Sequence, residues 1–424
     1  MLNKIKRHSV SGCRFFTFTL LSVYDINKGK ETALRAGNVI DQEESIRHLQ
    51  ACMKGIAEDM TQNMTTDKIN IITADMNPFS VMSRTPVETV KSILGRIGLA
   101  YSEGLPKDAY VMAFYQALID DPNLILRMLP GDMIDFIMDV WENDELEMDD
   151  MDWNYVEYLR IFGLLSSGFA DDQEGSGRKV LYRIPEARDR FYFLFKSKKS
   201  RNLIKRYTHW DKLIAGSMFY YGVIDLEILH SIFIKVSKYA ISFDEFFSYI
   251  KCRSSLWSFG AILTSGSRKH MYFQIYEVEN PDLTLLYIRE HKNLRHKKVS
   301  VEQLLYISES GGINNHWKGV AEFGDLVIDH MKIDYLRATV LLQKLVRMIR
   351  NSAGFDSLVK EVSSLEYHSE KEKEQMRQII KTLYYHIPVF EYKGFNRAEY
   401  EKLFHEKQLK NREKLFTIIE GGKG

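Results

Sequence analysis

The stretch HWDKLIAGSMFYYGVIDLEILHSIFIKV, residues 209–236, decides the predicted fold of this chain. One helical pattern stops at Gly222, and a second follows Asp225, whose side chain can cap a helix. A third helical pattern, FDEFFSYIKC, covers residues 243–252. Two β-prone runs, SLWSFGAILT and KHMYFQIYEV, then flank a short polar turn within residues 255–278. The order predicts three short helices followed by a β-hairpin.

This order resembles that of winged helix-turn-helix domains, and the resemblance covers His209–Glu279. In that family the third helix usually enters the major groove of DNA, and the hairpin, or wing, reaches phosphate or the minor groove. The part of this block from Phe219 to Phe233 also looks like a stretch of uncharacterised proteins from Gram-positive bacteria. Both resemblances imply a fold and carry no particular activity.

A third resemblance lies earlier in the chain, over Thr85–Ile119. A helix, a loop and a second helix that begins near Lys107 are similar to the SAP and Rho-N-terminal type of small helical module. That family often contacts nucleic acid, so the resemblance implies a nucleic-acid contact by this module. The alternative is a pair of ordinary core helices, because the likeness rests on pattern alone.

A chain of 424 residues is longer than the chains that usually fold around a single hydrophobic core, so we expect several domains. The fold class is predicted to be mainly α with small β-hairpins (α+β), with tandem winged-helix-like units and a helical C-terminal region. The predicted segments are an N-terminal helical or irregular segment (1–80), a helical, winged-helix-like unit ending in a hairpin (81–195), a winged-helix-like domain (196–285), and a helical C-terminal domain with a long helix (286–424).

Composition excludes several classes of protein. Apolar residues make up 45% and charged residues 27%, which is typical of globular chains. A net charge of +1 argues against a protein that coats nucleic acid through bulk charge. The three cysteines lie far apart in sequence, which suits a reducing cytoplasm and predicts no disulfide framework.

No apolar run approaches the ~20 residues that a membrane span needs, so no membrane is expected as a partner. The run FFTFTLLSV (15–23) follows several basic residues and resembles part of a secretory signal. No cleavage site follows it. Export and burial in a core therefore both stay open for this run, and a cytoplasmic location is the expectation.

The motifs of common catalytic sites are missing from the sequence. It has no phosphate-binding Gly-rich loop with a following lysine, no dinucleotide fingerprint and no paired-histidine metal motif. No serine lies in a Gly-x-Ser-x-Gly elbow. We therefore expect no catalytic residue, cofactor or metal. The loop that contains His316 and Trp317 is the one polar-aromatic segment that could shape a pocket.

Positive charge is concentrated in two segments, KSKKSRNLIKRY (196–207) and REHKNLRHKK (289–298). The predicted third helix opens with Asp244 and Glu245, which phosphate would repel, so base reading by this helix is not expected. Phosphate contact is expected instead from the two basic segments, the far end of that helix and the wing. The candidate nucleic-acid-binding residues are Lys198, Lys199, Arg201, Lys205, Arg206, Lys251, Arg253, Arg268, Lys269, Lys292, Arg295 and Lys297.

These patterns lead to one functional hypothesis and two alternatives. The hypothesis is a non-enzymatic nucleic-acid-binding or transcription-regulatory protein, with DNA or RNA as its partner. The first alternative is a scaffold that holds a protein partner, in part through the long C-terminal helix. The second is an enzyme whose site is assembled from dispersed residues. Sequence specificity and oligomeric state do not follow from the sequence.

Overall fold

The computed structural model describes residues 77–143, 145–147, 159–170, 178–254, 260–264 and 270–405. The run FFTFTLLSV and the wing residues Arg268 and Lys269 lie outside the described residues.

Within these ranges the chain is mainly helical and carries two small antiparallel sheets, which confirms the predicted fold class. The named elements are α1 (Pro78–Met82), α2 (Val87–Ile97), α3 (Lys107–Asp120), α4 (Asn123–Met128), α5 (Gly131–Asn143), β1 (Glu145–Glu147), β2 (Leu165–Ala170), β3 (Arg178–Arg183), α6 (Pro185–Lys196), α7 (Lys198–Tyr221), β4 (Val223–Asp225), α8 (Leu226–Ser237), α9 (Phe243–Ser254), β5 (Gly260–Thr264), β6 (Met271–Ile275), α10 (Pro281–Glu290), α11 (Val301–Glu309), α12 (Val320–Gly324), a π-helical turn (Asp325–His330), α13 (Tyr335–Arg350), α14 (Phe355–Val362) and α15 (Glu370–His386). Residues 397–405 form a last helical segment, α16.

The described residues form two compact units. The N-terminal unit contains the described residues up to 211 together with 241–254, and the C-terminal unit contains 212–240, 260–264 and 270–405. The segment 196–285, predicted as one domain, therefore contributes to both units. Helix α9 belongs to the N-terminal unit, where it contacts α2 and α4, and the sheet of strands β4, β5 and β6 belongs to the C-terminal unit.

The core of the N-terminal unit contains a stacked pair of aromatic rings among its aliphatic side chains. Trp141 of α5 stacks on Phe195 of α6 with ring centroids 5.5 Å apart, and its indole N–H donates to the carbonyl oxygen of Leu164 at 3.2 Å. This bond satisfies the polar atom of an otherwise apolar buried ring. Strands β2 and β3 pair antiparallel, as predicted, and β1 joins the other edge of β3.

The C-terminal unit contains the predicted hairpin. Strands β5 and β6 pair antiparallel with Leu263 opposite Tyr272, and β4 adds to β6, so the sheet order is β4-β6-β5. Gly222 ends α7 with φ +67°, a conformation that side chains with a Cβ rarely adopt. The Asp225 carboxylate accepts from two backbone N–H groups at the start of α8, at 2.9 and 3.2 Å. Both predicted helix boundaries are confirmed.

The rest of the C-terminal unit is a helical layer with its own apolar core, contributed by α12, α13, α14 and α15. The spacing of apolar residues from Ile328 to Ile349 favours one long helix, but α13 begins only at Tyr335. Lys332 adopts φ +57° and the Asp334 side chain caps the backbone N–H of Arg337, so the chain breaks and restarts there.

Candidate nucleic-acid interface

The first basic segment is helical, because all of it after Ser197 forms the opening turns of the 24-residue helix α7. Lys198, Lys199 and Lys205 have exposed side chains. Arg201 forms an ion pair with Asp135, and the Arg206 guanidinium lies 5.2 Å from the ring centroid of Trp210. Three of the five predicted cations in this segment therefore remain available to a phosphate.

Helix α9, the predicted third helix of the winged-helix block, is covered on most of its surface. The side chains of Phe246, Tyr249, Ile250 and Cys252 are buried within the N-terminal unit. The exposed side chains at its start are acidic, as expected from the sequence. Lys251 is half-buried, with its ammonium 5.6 Å from the Phe247 ring centroid. A helix packed in this way offers little surface to a DNA groove.

Arg253, predicted to contact nucleic acid, is a core residue instead. Its side chain is 1% exposed, and its Nε lies 3.1 Å from Oδ1 of Asp211. The guanidinium also lies over the rings of Tyr207 and Tyr249. The Tyr249 hydroxyl contacts Asp211 as well and lies 3.1 Å from the carbonyl oxygen of Tyr207. Burial raises the pKa of Tyr249 well above its usual value. Because this charge is paired inside the core, Arg253 does not reach a phosphate.

The second basic segment, residues 289–298, is held against the C-terminal end of the described chain. The Lys393 ammonium donates to the carbonyl oxygens of His291 and Leu294 at 2.8 and 2.9 Å. Lys297 pairs with both carboxylate oxygens of Glu399 at 2.6 and 2.7 Å. The backbone N–H of Lys297 also donates to the carbonyl oxygen of Lys393 at 3.0 Å. The segment thus has a defined backbone path, although only Arg289 and Glu290, the last residues of α10, belong to a helix or strand.

These contacts distinguish cations that hold the segment in place from cations that remain exposed. The charge of Lys297 is used in an ion pair within the protein, so this predicted site residue serves to position the loop. Lys292 and Arg295 have exposed side chains, and so does the neighbouring Lys298. Glu399 also closes a capping box with Asn396 at the start of α16, as Glu399 accepts from the Asn396 N–H at 3.1 Å.

Beside this segment lies a set of rings that we call the aromatic ladder, made of His291, Tyr392, Tyr400 and Phe404. Tyr392 and Tyr400 are parallel within 4°, with centroids 4.3 Å apart. The His291 ring packs edge-on against both, at 5.7 and 5.3 Å. Phe404 continues the stack at 6.5 Å from Tyr400 and is 51% exposed. The ladder therefore ends in a ring that faces solvent.

Charges of both signs lie close to the ladder residues in the chain. The exposed cations Lys292 and Arg295 follow His291 by one and four residues, and the exposed carboxylates Glu290 and Glu401 are next to His291 and Tyr400 in the sequence. Burial, with a contribution from the Glu391 carboxylate, raises the pKa of Tyr392 to about 12. The Tyr392 ring therefore stays neutral at physiological pH.

Sequence reasoning missed the ladder, although one signal for part of it was present. Tyr400 and Phe404 are four residues apart, so they share a face of α16. Nothing in the local pattern brings Tyr392 or His291 to that face, because His291 lies 102 residues from Lys393, the residue that anchors it.

Two other predicted features have structural roles. The His316 ring packs against Tyr306 at 5.4 Å, and Trp317 lies 5.6 Å from the guanidinium of buried Arg350, so this loop belongs to the packing of the C-terminal unit. At the base of the wing, the exposed His270 ring lies 4.0 Å from the Asp225 carboxylate.

Across the described ranges, no three His, Cys, Asp or Glu side chains come together as a metal site would require. Among the helices of those same ranges, none combines the length and the apolar character that crossing a bilayer demands.

Comparison of the chain with protein-family models, with curated proteins and with solved structures found no match. The resemblance to winged-helix domains therefore stays a prediction that rests on the order of the elements.

Proposed function

We propose that this protein binds nucleic acid without catalysing a reaction, and that it does so mainly through phosphate contacts. The observation that carries the proposal is the second basic segment. Its backbone is fixed by Lys393 and by the pair of Lys297 with Glu399, while the side chains of Lys292 and Arg295 remain exposed. Cations on a fixed backbone bind phosphate with less loss of conformational entropy than cations on a free loop.

Local rather than global charge supports this function. The chain as a whole carries a net charge of +1, so the attraction for a polyanion comes from patches. The exposed lysines of α7 (Lys198, Lys199 and Lys205) form a second such patch in the N-terminal unit. Phosphate contacts supply affinity that depends on salt and carries little sequence information. As part of this proposal, the protein acts in the cytoplasm and has a regulatory role.

The burial of α9 argues that base reading in the major groove is not part of the function. Its apolar residues are used within the N-terminal unit, and its exposed first turn carries Asp244 and Glu245. We accordingly propose binding with weak sequence preference.

The test is fluorescence anisotropy with a labelled oligonucleotide of mixed sequence, titrated at several salt concentrations. The double variant Lys292→Gln/Arg295→Gln should bind more weakly, and the slope of log K against log salt should become shallower by about 1.4 to 1.8. A matched control is Lys371→Gln/Arg377→Gln, which removes the same charge from exposed positions of α15.

Two results would contradict the proposal. One is the absence of binding by the unaltered protein at low salt. The other is an equal loss of affinity in the two double variants, which would mean that net charge alone, and not the second basic segment, accounts for binding.

A second candidate function is a protein scaffold, and one observation favours it. The first turns of α13 expose Tyr335, Leu336 and Val340, and the Tyr335 side chain is 74% exposed. An exposed apolar helix face is a common docking surface for a partner helix. This function predicts a partner that the unaltered protein retains and that the variant Tyr335→Ser/Val340→Ser releases. A partner retained equally by both proteins would argue against this surface.

A further inference from the structure

We infer that the aromatic ladder selects single-stranded nucleic acid by stacking an unpaired base on Phe404, beside the phosphate contacts of Lys292 and Arg295. This inference rests on the proposed function and names the class of nucleic acid that the second basic segment takes. It concerns the C-terminal unit alone, in which all these residues lie.

The first argument is the exposure of the terminal ring. Phe404 is 51% exposed, although a large apolar side chain at a surface is usually covered where a neighbour allows it. Its neighbour Tyr400 has already stacked on Tyr392 at 4.3 Å, whereas the separation of Phe404 from Tyr400 is 6.5 Å. Within the described residues, the Phe404 ring at the outer end of the ladder is therefore stacked less closely than the Tyr392 and Tyr400 rings.

The second argument is rigidity. His291 packs edge-on against Tyr392 and Tyr400, and its own backbone carbonyl is held by Lys393. The helix that carries Tyr400 and Phe404 is capped by Asn396, whose side chain accepts from the Glu399 N–H at 2.8 Å. A base that stacks on a ladder held in this way loses little of its binding energy to the ordering of the protein.

The third argument is the chemistry on either side of the rings. Single-strand binding sites combine a cationic path for the backbone with aromatic side chains for the bases. Here His291, Lys292 and Arg295 belong to one short segment, so rings and cations occur together. Inside a duplex, both faces of a base are covered by its neighbours in the stack, so an unpaired base offers Phe404 a face that an internal base pair does not.

The experiment uses the full chain and a labelled single-stranded oligonucleotide of mixed sequence, tested as DNA and as RNA, with the matched duplex as the second ligand. Phe404→Leu removes the ring and keeps an apolar side chain, and it should lower single-strand affinity roughly 5- to 150-fold. Duplex affinity should not change. Phe404→Trp should retain single-strand affinity, and its added fluorescence should be quenched when the single strand binds.

Phe193→Leu is the matched control, since this phenylalanine is 77% exposed on α6 and lies outside the ladder. Its affinity for both ligands should equal that of the unaltered protein. Equal binding of single strand and duplex, with no effect of Phe404→Leu, would overturn the inference and leave the phosphate-binding proposal standing. Failure of the unaltered protein to bind either ligand at low salt would overturn the proposed function as well.

Discussion

Lys393 fixes the backbone of the second basic segment: its Nζ lies 2.8 Å from the carbonyl oxygen of His291, a residue 102 positions earlier in the chain. The same ammonium donates a second hydrogen bond to the carbonyl oxygen of Leu294, so one side chain holds two backbone carbonyl groups of the segment, an arrangement that we call the clamp. Burial lowers the pKa of Lys393, as expected for an ammonium that has lost part of its water. The exposed cations Lys292 and Arg295 therefore depend for their positions on a lysine that does not itself face a ligand.

Replacement of Lys393 by Met tests this clamp. Methionine keeps most of the apolar length but donates no hydrogen bond, so two carbonyl groups lose a charged partner. We expect the free energy of unfolding to fall by about 1.5–3 kcal/mol, and the backbone N–H of Lys297 to exchange faster with deuterium. Chemical denaturation and hydrogen-exchange mass spectrometry measure the two effects. Lys292→Met, at an exposed neighbour, should leave both unchanged; an equal effect of the two variants would contradict the clamp.

Arg350 carries a buried charge in the C-terminal unit. Its guanidinium pairs with Glu277 at 2.7 Å, contacts the Gly312 carbonyl, and lies over the rings of Phe219 and Trp317. Arg350→Met leaves the Glu277 carboxylate without its partner, so we expect a loss of about 3–5 kcal/mol in the free energy of unfolding, measured by denaturant titration.

The control for Arg350 lies one turn earlier on α13. Arg347 pairs with Glu279 at 3.4 Å, and the Glu279 side chain is largely exposed. Because the Glu279 carboxylate of this pair is exposed to water, which weakens its attraction to Arg347, Arg347→Met should cost less than about 1 kcal/mol. Similar losses in the two variants would show that the burial of Arg350 does not matter in the way we argue.

Gly216 marks a close approach of α7 to α11. A Cβ at this position would lie 2.1 Å from the carbonyl oxygen of Leu304, which is backbone and cannot rotate away. Gly216→Ala should therefore separate the two helices and cost about 3 kcal/mol or more, at the upper end of overpacking effects. Gly324→Ala is the control, because nothing lies within 4 Å of the added Cβ.

Gly324→Ala should instead increase the stability of the protein. Gly324 is helical, and alanine is the better helix former by about 1 kcal/mol, so this variant should melt at a slightly higher temperature. Differential scanning calorimetry distinguishes the two glycines. A Gly216→Ala protein as stable as the unaltered one would mean that the helices do not approach as closely as described.

His296 gives the fold a pH dependence with a predictable sign. Burial, with the nearby Lys393 charge, lowers the pKa of His296 from 6.5 to about 4, and its ring packs edge-on against Tyr221 at 5.2 Å. Between these values the unfolded chain binds a proton that the folded chain does not, so stability falls as pH drops from about 6.5 to about 4. The slope from this residue approaches about 1.4 kcal/mol per pH unit.

The measurement is a set of denaturant titrations across that pH range. His296→Phe keeps an aromatic ring against Tyr221 and does not titrate, so its stability should change less steeply with pH than that of the unaltered protein. Parallel pH dependences in the two proteins would mean that His296 is already accessible to protons in the folded state.

Much of the local structure was predictable because its causes lie within a few residues. Gly222 ends a helix and Asp225 caps the next, and the hairpin strands follow from alternating β-prone side chains. The cap formed by Asn396 and Glu399 is also a local pair. The break before Tyr335 was missed because the apolar spacing continues through it. The break itself comes from the positive φ of Lys332, which the spacing of side chains does not reveal.

By itself, the sequence determined the helical class of this protein, its small hairpins and the two segments in which positive charge gathers, since these depend on neighbours along the chain. Only the tertiary structure decided which charges are available. It buries Arg253 against Asp211, uses Lys297 for Glu399, and leaves Lys292 and Arg295 exposed. It also joins His291 to Tyr392 and Tyr400 in one stack. Burial and pairing depend on contacts between distant residues, and a pattern of neighbours contains no information about those contacts.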